Sequence, residues 1–112
     1  MTGSEWIRIA SIQDVNDAGG QLGRAVDGVS LAVFAVDGNY YVTQNDCTHG
    51  MASLADGYLD GCLIECPIHQ GLFDVRTGEV KGPPCTEPLH VFEVRRDGDG
   101  LFVSQEALRR FG

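Results

Sequence analysis

Basic residues are scarce in this chain of 112 residues. Eight Lys and Arg residues stand against sixteen Asp and Glu residues, which gives a formal net charge of −8. Nucleic acids are polyanions and bind proteins largely through Lys and Arg contacts to their phosphates. The charge therefore argues against a nucleic acid as the partner, and it favours a protein with a basic surface.

Long apolar runs are also absent. None approaches the ~18 consecutive residues that a membrane-spanning helix needs. The first six residues lack the basic segment and apolar core of a secretion signal. We therefore expect no membrane association and, by default, a cytoplasmic location. The chain has only four cysteines, and any that are not ligands should stay reduced there.

No general base, activated nucleophile or second metal site is visible outside one group of residues. That group consists of two short runs, Cys47-Thr48-His49 and Cys66-Pro67-Ile68-His69. Each run offers one thiolate and one imidazole, spaced as C-x-H and then C-x2-H. Cysteine and histidine side chains combined in this way form a metal-ligand set. The sequence therefore predicts a metal centre built from Cys47, His49, Cys66 and His69.

Two kinds of metal fit this set. Structural zinc sites usually pair C-x2–4-C with H-x3–5-H, so that ligands of one kind lie together. Here each run mixes the two kinds. A [2Fe–2S] centre in which two histidines replace two cysteines on one iron needs such a mixture. The pattern favours iron–sulfur and leaves a structural zinc-binding module as the alternative.

Turn signals are frequent, with fifteen glycines in the chain. The pairs Asp27-Gly28 and Asp37-Gly38 lie between β-rich runs, which predicts tight hairpins. Between them, residues 31–36 are apolar at every position and predict a central strand covered on both faces. Many short strands at close spacing indicate an all-β sandwich or barrel.

Shorter signals complete the predicted order of elements. Residues 6–10 alternate weakly and predict a strand, after which Ser11 can cap a short helical turn. Two further turns are expected at Asp56-Gly57 and Asp60-Gly61. Residues 89–96 and 101–104 predict closing strands, and residues 106–110 a terminal helical turn.

The two runs also carry a resemblance. Cys-Thr-His-Gly, followed by Cys-Pro-Ile-His-Gln-Gly-Leu-Phe-Asp, resembles the pair of cluster loops of Rieske proteins. The continuation through residues 73–78 and Gly82-Pro83-Pro84 is similar to the soluble Rieske ferredoxins of bacterial ring-hydroxylating dioxygenases. This resemblance implies one Rieske-type [2Fe–2S] cluster per chain. Cys47 and Cys66 would bind one iron, and His49 and His69 the other.

The resemblance also implies an architecture and a function. The Rieske fold is an antiparallel β-sandwich or barrel framework with an inserted small cluster-binding subdomain. We expect residues 1–112 to form a single domain, with the subdomain at about 45–84. The implied function is a one-electron carrier, not itself an enzyme. It would link an NAD(P)H-dependent flavoprotein reductase to a terminal ring-hydroxylating oxygenase. The alternative is the Rieske-like small subunit of an assimilatory nitrite reductase.

Departures from high-potential Rieske proteins bear on the potential. Those proteins join the two cluster loops by a disulfide, at positions occupied here by Ala52 and Ile68. They also place a serine and a tyrosine near the cluster sulfurs, where this chain has Gly71 and Phe73. Fewer hydrogen-bond donors stabilise the reduced cluster less. We therefore expect a potential near the lower end of the Rieske range, roughly −150 mV.

The remaining candidates receive ordinary roles. Cys62 is expected to pack or lie at the surface, Cys85 to occupy a tight loop, and His90 to be a surface residue. Glycines beside the ligands would let backbone N–H groups approach sulfur. The expected contact surface for partners surrounds the histidine ligands, which should lie toward the surface: His49, Gly50, Met51, His69, Gln70, Pro83 and Pro84.

Overall fold

The computed structural model describes residues 5–47, 52–68, 71–82 and 87–111. Short β-strands dominate these residues, together with two α-helices and a single 3₁₀ turn. The strands are β1 Trp6–Ser11, β2 Gln21–Val26, β3 Val29–Val36, β4 Asn39–Gln44, β5 Tyr58–Asp60, β6 Leu63–Glu65, β7 Leu72–Asp74, β8 Val80–Gly82, β9 Val91–Phe92, β10 Val94–Asp97 and β11 Gly100–Ser104. The helices are α1 Ile12–Asp17 and α2 Gln105–Phe111, and the 3₁₀ turn is Leu54–Asp56.

The strands form three antiparallel sheets. An outer sheet has the order β1-β11-β10, a central sheet β2-β3-β4-β9, and a hairpin sheet β5-β6-β7-β8. The expectation of an all-β chain is confirmed. No helix within the described ranges is long and apolar enough to cross a membrane.

Strand β3 is an inner strand of the central sheet, and this position explains why its sequence is apolar. Successive side chains of a strand point to opposite faces. Ala32, Phe34 and Val36 enter one core, here called the hairpin core, which also contains residues of the hairpin sheet. Leu31 and Val33 enter a second core, here called the framework core, which also contains residues of the outer sheet. The prediction of a strand covered on both faces is confirmed.

The two hairpins that flank β3 form as predicted. Asp27 and Asp37 each have φ 50°, and the glycines after them have φ 79° and 80°. Two consecutive residues with positive φ make the two-residue turn that matches the twist of antiparallel strands. Ser11 caps α1 as expected, since its hydroxyl accepts from the Asp14 N–H while the Asp14 carboxylate accepts from the Ser11 N–H.

Two predicted turns differ from the structure. Asp60 pairs with Leu63 as the last residue of β5, so the turn itself consists of Gly61-Cys62. Asp56 ends the 3₁₀ turn, which is closed by the Asp56 and Gly57 N–H groups donating to the carbonyls of residues 53 and 54. Leu54 within it is fully buried in the hairpin core.

The strand expected over residues 89–96 is divided. Strand β9 pairs with β4 in the central sheet, whereas β10 pairs with β11 in the outer sheet. The chain changes sheets at Glu93, which belongs to neither strand. Residues 89–96 therefore connect the two framework layers.

Candidate metal centre

The first ligand run begins just beyond β4. Asp46 forms an isolated antiparallel bridge with Ser53. At the next pair of residues, Cys47 and Ala52, the Cys47 N–H donates to the Ala52 carbonyl at 2.9 Å. Residues 48–51, here called the first ligand segment, lie between these paired positions in the sequence.

The second ligand run begins just beyond β6 in the same manner. Glu65 pairs with Leu72 across the β6–β7 hairpin. The Cys66 N–H then donates to the Gly71 carbonyl at 2.8 Å. In both runs, four residues separate the cysteine from a small buried residue, which is Ala52 in the first run and Gly71 in the second. Residues 67–70 are here called the second ligand segment.

Both thiols face the interior. Cys47 is 5% exposed and Cys66 is fully buried, and the two belong to the hairpin core. Cys66 forms no disulfide. The structure therefore brings two thiols from distant positions into one apolar core. Each cysteine directly precedes a segment of four residues that contains one of the predicted histidine ligands.

This donor set fits a [2Fe–2S] group with mixed ligands. Two cysteines and two histidines are the ligands that a Rieske cluster uses. The apolar surroundings of the thiols would exclude water from the sulfur side. His49 and His69 lie outside the described residues, as do Gly50, Met51, Gln70, Pro83, Pro84 and Cys85. Their predicted roles remain predictions.

Asn45 braces the first ligand segment, and the sequence reasoning did not identify it. This residue is only 7% exposed. Its side-chain carbonyl accepts from the Ala55 N–H at 2.9 Å, and its backbone carbonyl accepts from the Leu54 N–H at 2.7 Å. Its amide Nδ2 donates to the Ser30 hydroxyl at 3.2 Å. An asparagine directly after a strand and two residues before the predicted ligand Cys47 is the only signal in the sequence.

Gln44 provides a second brace with its side-chain amide. Its Nε2 donates to the Asp46 carbonyl at 2.9 Å, and its Oε1 accepts from the His90 N–H at 2.7 Å. The residue before Cys47 is thereby tied to the chain that follows residues 83–86. His90 itself is exposed, as expected, and its ring lies against Phe92 and Phe111.

The 3₁₀ turn connects the two ligand segments. The Gln21 amide on β2 donates to the carbonyls of Ala55 and Gly57 at 2.6 and 2.8 Å. Gly57 packs against the backbone of Glu65, the residue before Cys66, so closely that a Cβ would overlap the Glu65 carbonyl oxygen. The position of this turn thus affects both cysteines.

An ion pair between a buried Asp74 on β7 and a half-exposed Arg76 lies at the end of the hairpin sheet. The Asp74 side chain is 5% exposed, and Arg76 contacts it through Nε at 3.1 Å and a terminal nitrogen at 2.9 Å. The Arg76 backbone N–H also donates to Asp74 at 2.9 Å. Hydrogen bonds from Arg76 hold the pKa of Asp74 below its ordinary value, and Asp74 raises the pKa of Arg76. The sequence reasoning included both residues only as part of the resemblance.

Other expectations fall on described residues. Cys62 is half-buried and packs against the hairpin core, in agreement with its predicted packing role. Phe73, which replaces the tyrosine of high-potential relatives, is fully buried in the same core. Ile68, beside the predicted ligand His69, is 59% exposed.

Comparison with known proteins gives a match over most of the chain. The family profile described as the Rieske [2Fe–2S] domain matches residues 5–93. The chain is 50% identical over 78 residues to the biphenyl dioxygenase ferredoxin subunit of Pseudomonas sp. (strain KKS102), which covers 69% of this chain and 72% of that protein.

Solved structures agree with this match. The ferredoxin of Sphingomonas yanoikuyae B1 superposes with a TM-score of 0.84 at 39% identity, covering 90% of this chain and 99% of that one. A ferredoxin and oxygenase complex of carbazole 1,9a-dioxygenase contains a chain with a TM-score of 0.79 at 41% identity, covering 88% and 92%. The predicted resemblance and fold class are confirmed.

A more distant structure bears on the alternative. A protein provisionally assigned as the small subunit of an NADPH nitrite reductase superposes with a TM-score of 0.71, covering 88% of this chain and 97% of that one. Its identity is only 16%. This likeness concerns the fold alone.

Proposed function

Because the chain belongs to the Rieske [2Fe–2S] family, we propose that it is a one-electron carrier for a ring-hydroxylating oxygenase and not itself an enzyme. The observation that carries the proposal is the convergence of Cys47 and Cys66 in one buried core, at the feet of two equally short segments. When bound, the cluster would accept and release one electron. The similar proteins described as ferredoxin components support the role of a carrier.

We assign four ligands by position. Cys47 and Cys66 would hold one iron, and His49 and His69 the other. The burial of both thiols supports the first pair. The second pair follows from the C-x-H and C-x2-H spacing within segments that the structure closes at their bases. A structural zinc site is disfavoured because the matching family profile describes a [2Fe–2S] domain.

The chain's own residues would keep the site rigid and dry. Each ligand segment is short, and a backbone hydrogen bond closes its base. Phe34, Leu54 and Phe73 are fully buried in the same core as the thiols. Close-packed side chains resist displacement. A site that changes shape little between oxidation states has a small reorganisation cost, which suits rapid electron transfer.

The domain limits are part of the proposal. We infer one domain over residues 1–112, with a cluster-binding subdomain at about 45–84. The hairpin sheet, built from strands between residues 58 and 82, supports these limits. Its core is shared with β3 of the central sheet, which argues for one folding unit.

The partners follow from the relatives. The terminal oxygenase is inferred from the ferredoxin and oxygenase complex described above. A flavoprotein ferredoxin reductase would supply the electron. Ile68 is exposed beside His69, which supports a contact surface around the histidines. We also propose a cytoplasmic location, where electron carriers of this family would meet both partners.

Metal analysis and spectroscopy test the proposal. Purified protein should contain two iron atoms and two acid-labile sulfides per chain, and the reduced form should give a rhombic EPR signal typical of mixed histidine and cysteine ligands. Zinc in a colourless protein would refute the assignment. Stable co-purification with a large sirohaem subunit would instead favour the nitrite reductase alternative. Reduction by a flavoprotein reductase and NAD(P)H, followed by oxygenase turnover, would establish the role of a carrier.

A further inference from the structure

Asn45 joins three parts of the chain through a buried set of hydrogen bonds. Its backbone N–H donates to the Ser30 carbonyl at 3.0 Å, and its Nδ2 donates to the Ser30 hydroxyl at 3.2 Å. Both bonds fix it to β3. Its two carbonyl oxygens accept from Leu54 and Ala55 on the 3₁₀ turn. One residue thus bonds to the framework on one side and to the chain beyond the first ligand segment on the other.

These bonds fix both ends of the segment that begins at Cys47. Asn45 lies two residues before Cys47, so the bonds to Ser30 set where the chain enters. Leu54 and Ala55 lie two and three residues after Ala52, so the bonds they donate set where the chain leaves. The Cys47 thiol lies between these two fixed points. A displacement of either point would move the thiol relative to the second ligand run.

The side-chain carbonyl of Asn45 has a role that the backbone cannot replace. The Ala55 N–H lies in the first turn of a 3₁₀ helix, where intrahelical acceptors are lacking. Without the side chain, this partly buried donor would lose its protein partner, and the loss of one partner from such a pair costs stability. The Leu54 bond involves only backbone and would remain. The side chain therefore controls one defined contact at the exit of the segment.

We propose that Asn45 is a positioning residue that holds Cys47 at the geometry needed to ligate the cluster. The inference rests on the proposed function, because Cys47 must be a ligand. It assigns to Asn45 an effect on the cluster that is separate from its contribution to the stability of the fold. Asn45 itself is not a ligand.

The test compares three variants in the cluster-loaded protein. Asn45→Ala removes the acceptor for the Ala55 N–H, whereas Asn45→Asp retains it, and the Ser30 hydroxyl can then donate to the carboxylate instead of accepting from Nδ2. Thr43→Val is the matched control, since Thr43 is fully buried on β4, two residues before Asn45, and its hydroxyl donates to the adjacent Gln44 carbonyl at 2.8 Å. The measurements are the EPR g-values of the reduced protein, the rate of cluster loss below the unfolding temperature, and the urea midpoint of each variant.

We expect Asn45→Ala to shift the g-values and to lose its cluster roughly tenfold faster than Thr43→Val, as the loss of one buried acceptor implies. Asn45→Asp should keep native g-values and a native rate of loss. Equal rates for Asn45→Ala and Thr43→Val, with native g-values in both, would overturn the inference. If Asn45→Ala does not fold, Ser30→Ala decides, because it removes the hydroxyl that accepts from Asn45 Nδ2: cluster loss faster than in Thr43→Val supports the inference, and an equal rate with native g-values overturns it. A wild-type protein without a Rieske signal would refute the proposed function as well.

Discussion

Gly57 offers the sharpest test of how the two ligand segments are coupled. Its backbone is extended, with φ −83° and ψ −170°, a conformation that alanine adopts without strain. The neighbours, however, leave no room for a methyl group. A Cβ would overlap the Glu65 carbonyl oxygen and lie 3.2 Å from both the Glu65 carbonyl carbon and the Leu54 carbonyl oxygen. Gly57→Ala therefore perturbs packing and leaves the preferred dihedral angles unchanged.

The size of the effect follows from what must move. The obstructing atom belongs to the backbone of β6, so a side-chain rotation cannot relieve the overlap. Overpacking of this kind costs about 1–3 kcal/mol. Replacement of glycine by alanine also restricts the unfolded chain, which stabilises the protein by about 0.4–1 kcal/mol. We expect a net loss of about 1 kcal/mol. With a urea dependence of about 1–2 kcal/mol per molar, the midpoint should fall by about 0.5–1 M.

The assay is urea denaturation of the wild type, Gly57→Ala and Gly23→Ala, monitored by circular dichroism. Gly23 is the control because a Cβ there would meet the Cβ of Ala55, in the same 3₁₀ turn, at 3.4 Å, which is an ordinary contact. Gly23→Ala should remain within about 0.5 kcal/mol of the wild type. Equal midpoints for the two variants would show that the contact between Gly57 and Glu65 does not constrain the fold.

Three further predictions concern the ligands, the ion pair and the partners. His49→Ala and His69→Ala should each abolish the assembled cluster in EPR, whereas His90→Ala should retain it; a native spectrum for His69→Ala would contradict the ligand assignment. Because the folded-state pKa of Asp74 is lowered, its ionised form stabilises the protein above about pH 4, and this stabilisation is lost as the pH falls through the folded-state pKa. Asp74→Asn should therefore lower the thermal midpoint at pH 7 more than at pH 3, and an equal loss at both values would refute this. Reduction by the cognate reductase should slow as salt rises, mainly through a lower association rate, because the net charge of −8 attracts a basic partner. Salt screens this attraction, with a Debye length of about 10 Å at 0.1 M. A rate that is insensitive to salt in stopped-flow experiments would exclude steering.

The sequence was informative where local chemistry determines the structure. Asp-Gly pairs require positive φ, so the hairpins around β3 could be located from two residues each. The continuous apolar run of β3 indicated burial on both faces. The C-x-H spacing at Cys47 and the C-x2-H spacing at Cys66 indicated a metal site. Each of these signals lies within a few neighbouring residues.

The features that were missed depend on partners far along the chain. No glycine or proline marks the change of sheet at Glu93. The change arises because β9 pairs with β4 in the central sheet, whereas β10 pairs with β11 in the outer sheet. Asn45 bonds with residues ten and fifteen positions away, and its role is invisible to any local pattern. Ser30 and Ala55, its partners, are unremarkable in sequence.

The division of β3 between two cores has a consequence for how the protein can change. Even-numbered positions such as Ala32 and Phe34 belong to the hairpin core that contains the thiols, while odd-numbered positions such as Leu31 and Val33 belong to the framework core that contains residues of the outer sheet. Substitutions at even-numbered positions of β3 can therefore alter redox properties, whereas substitutions at odd-numbered positions alter only the scaffold. A library of aliphatic replacements confined to the odd positions would explore thermal tolerance while leaving the surroundings of the thiols chemically unchanged.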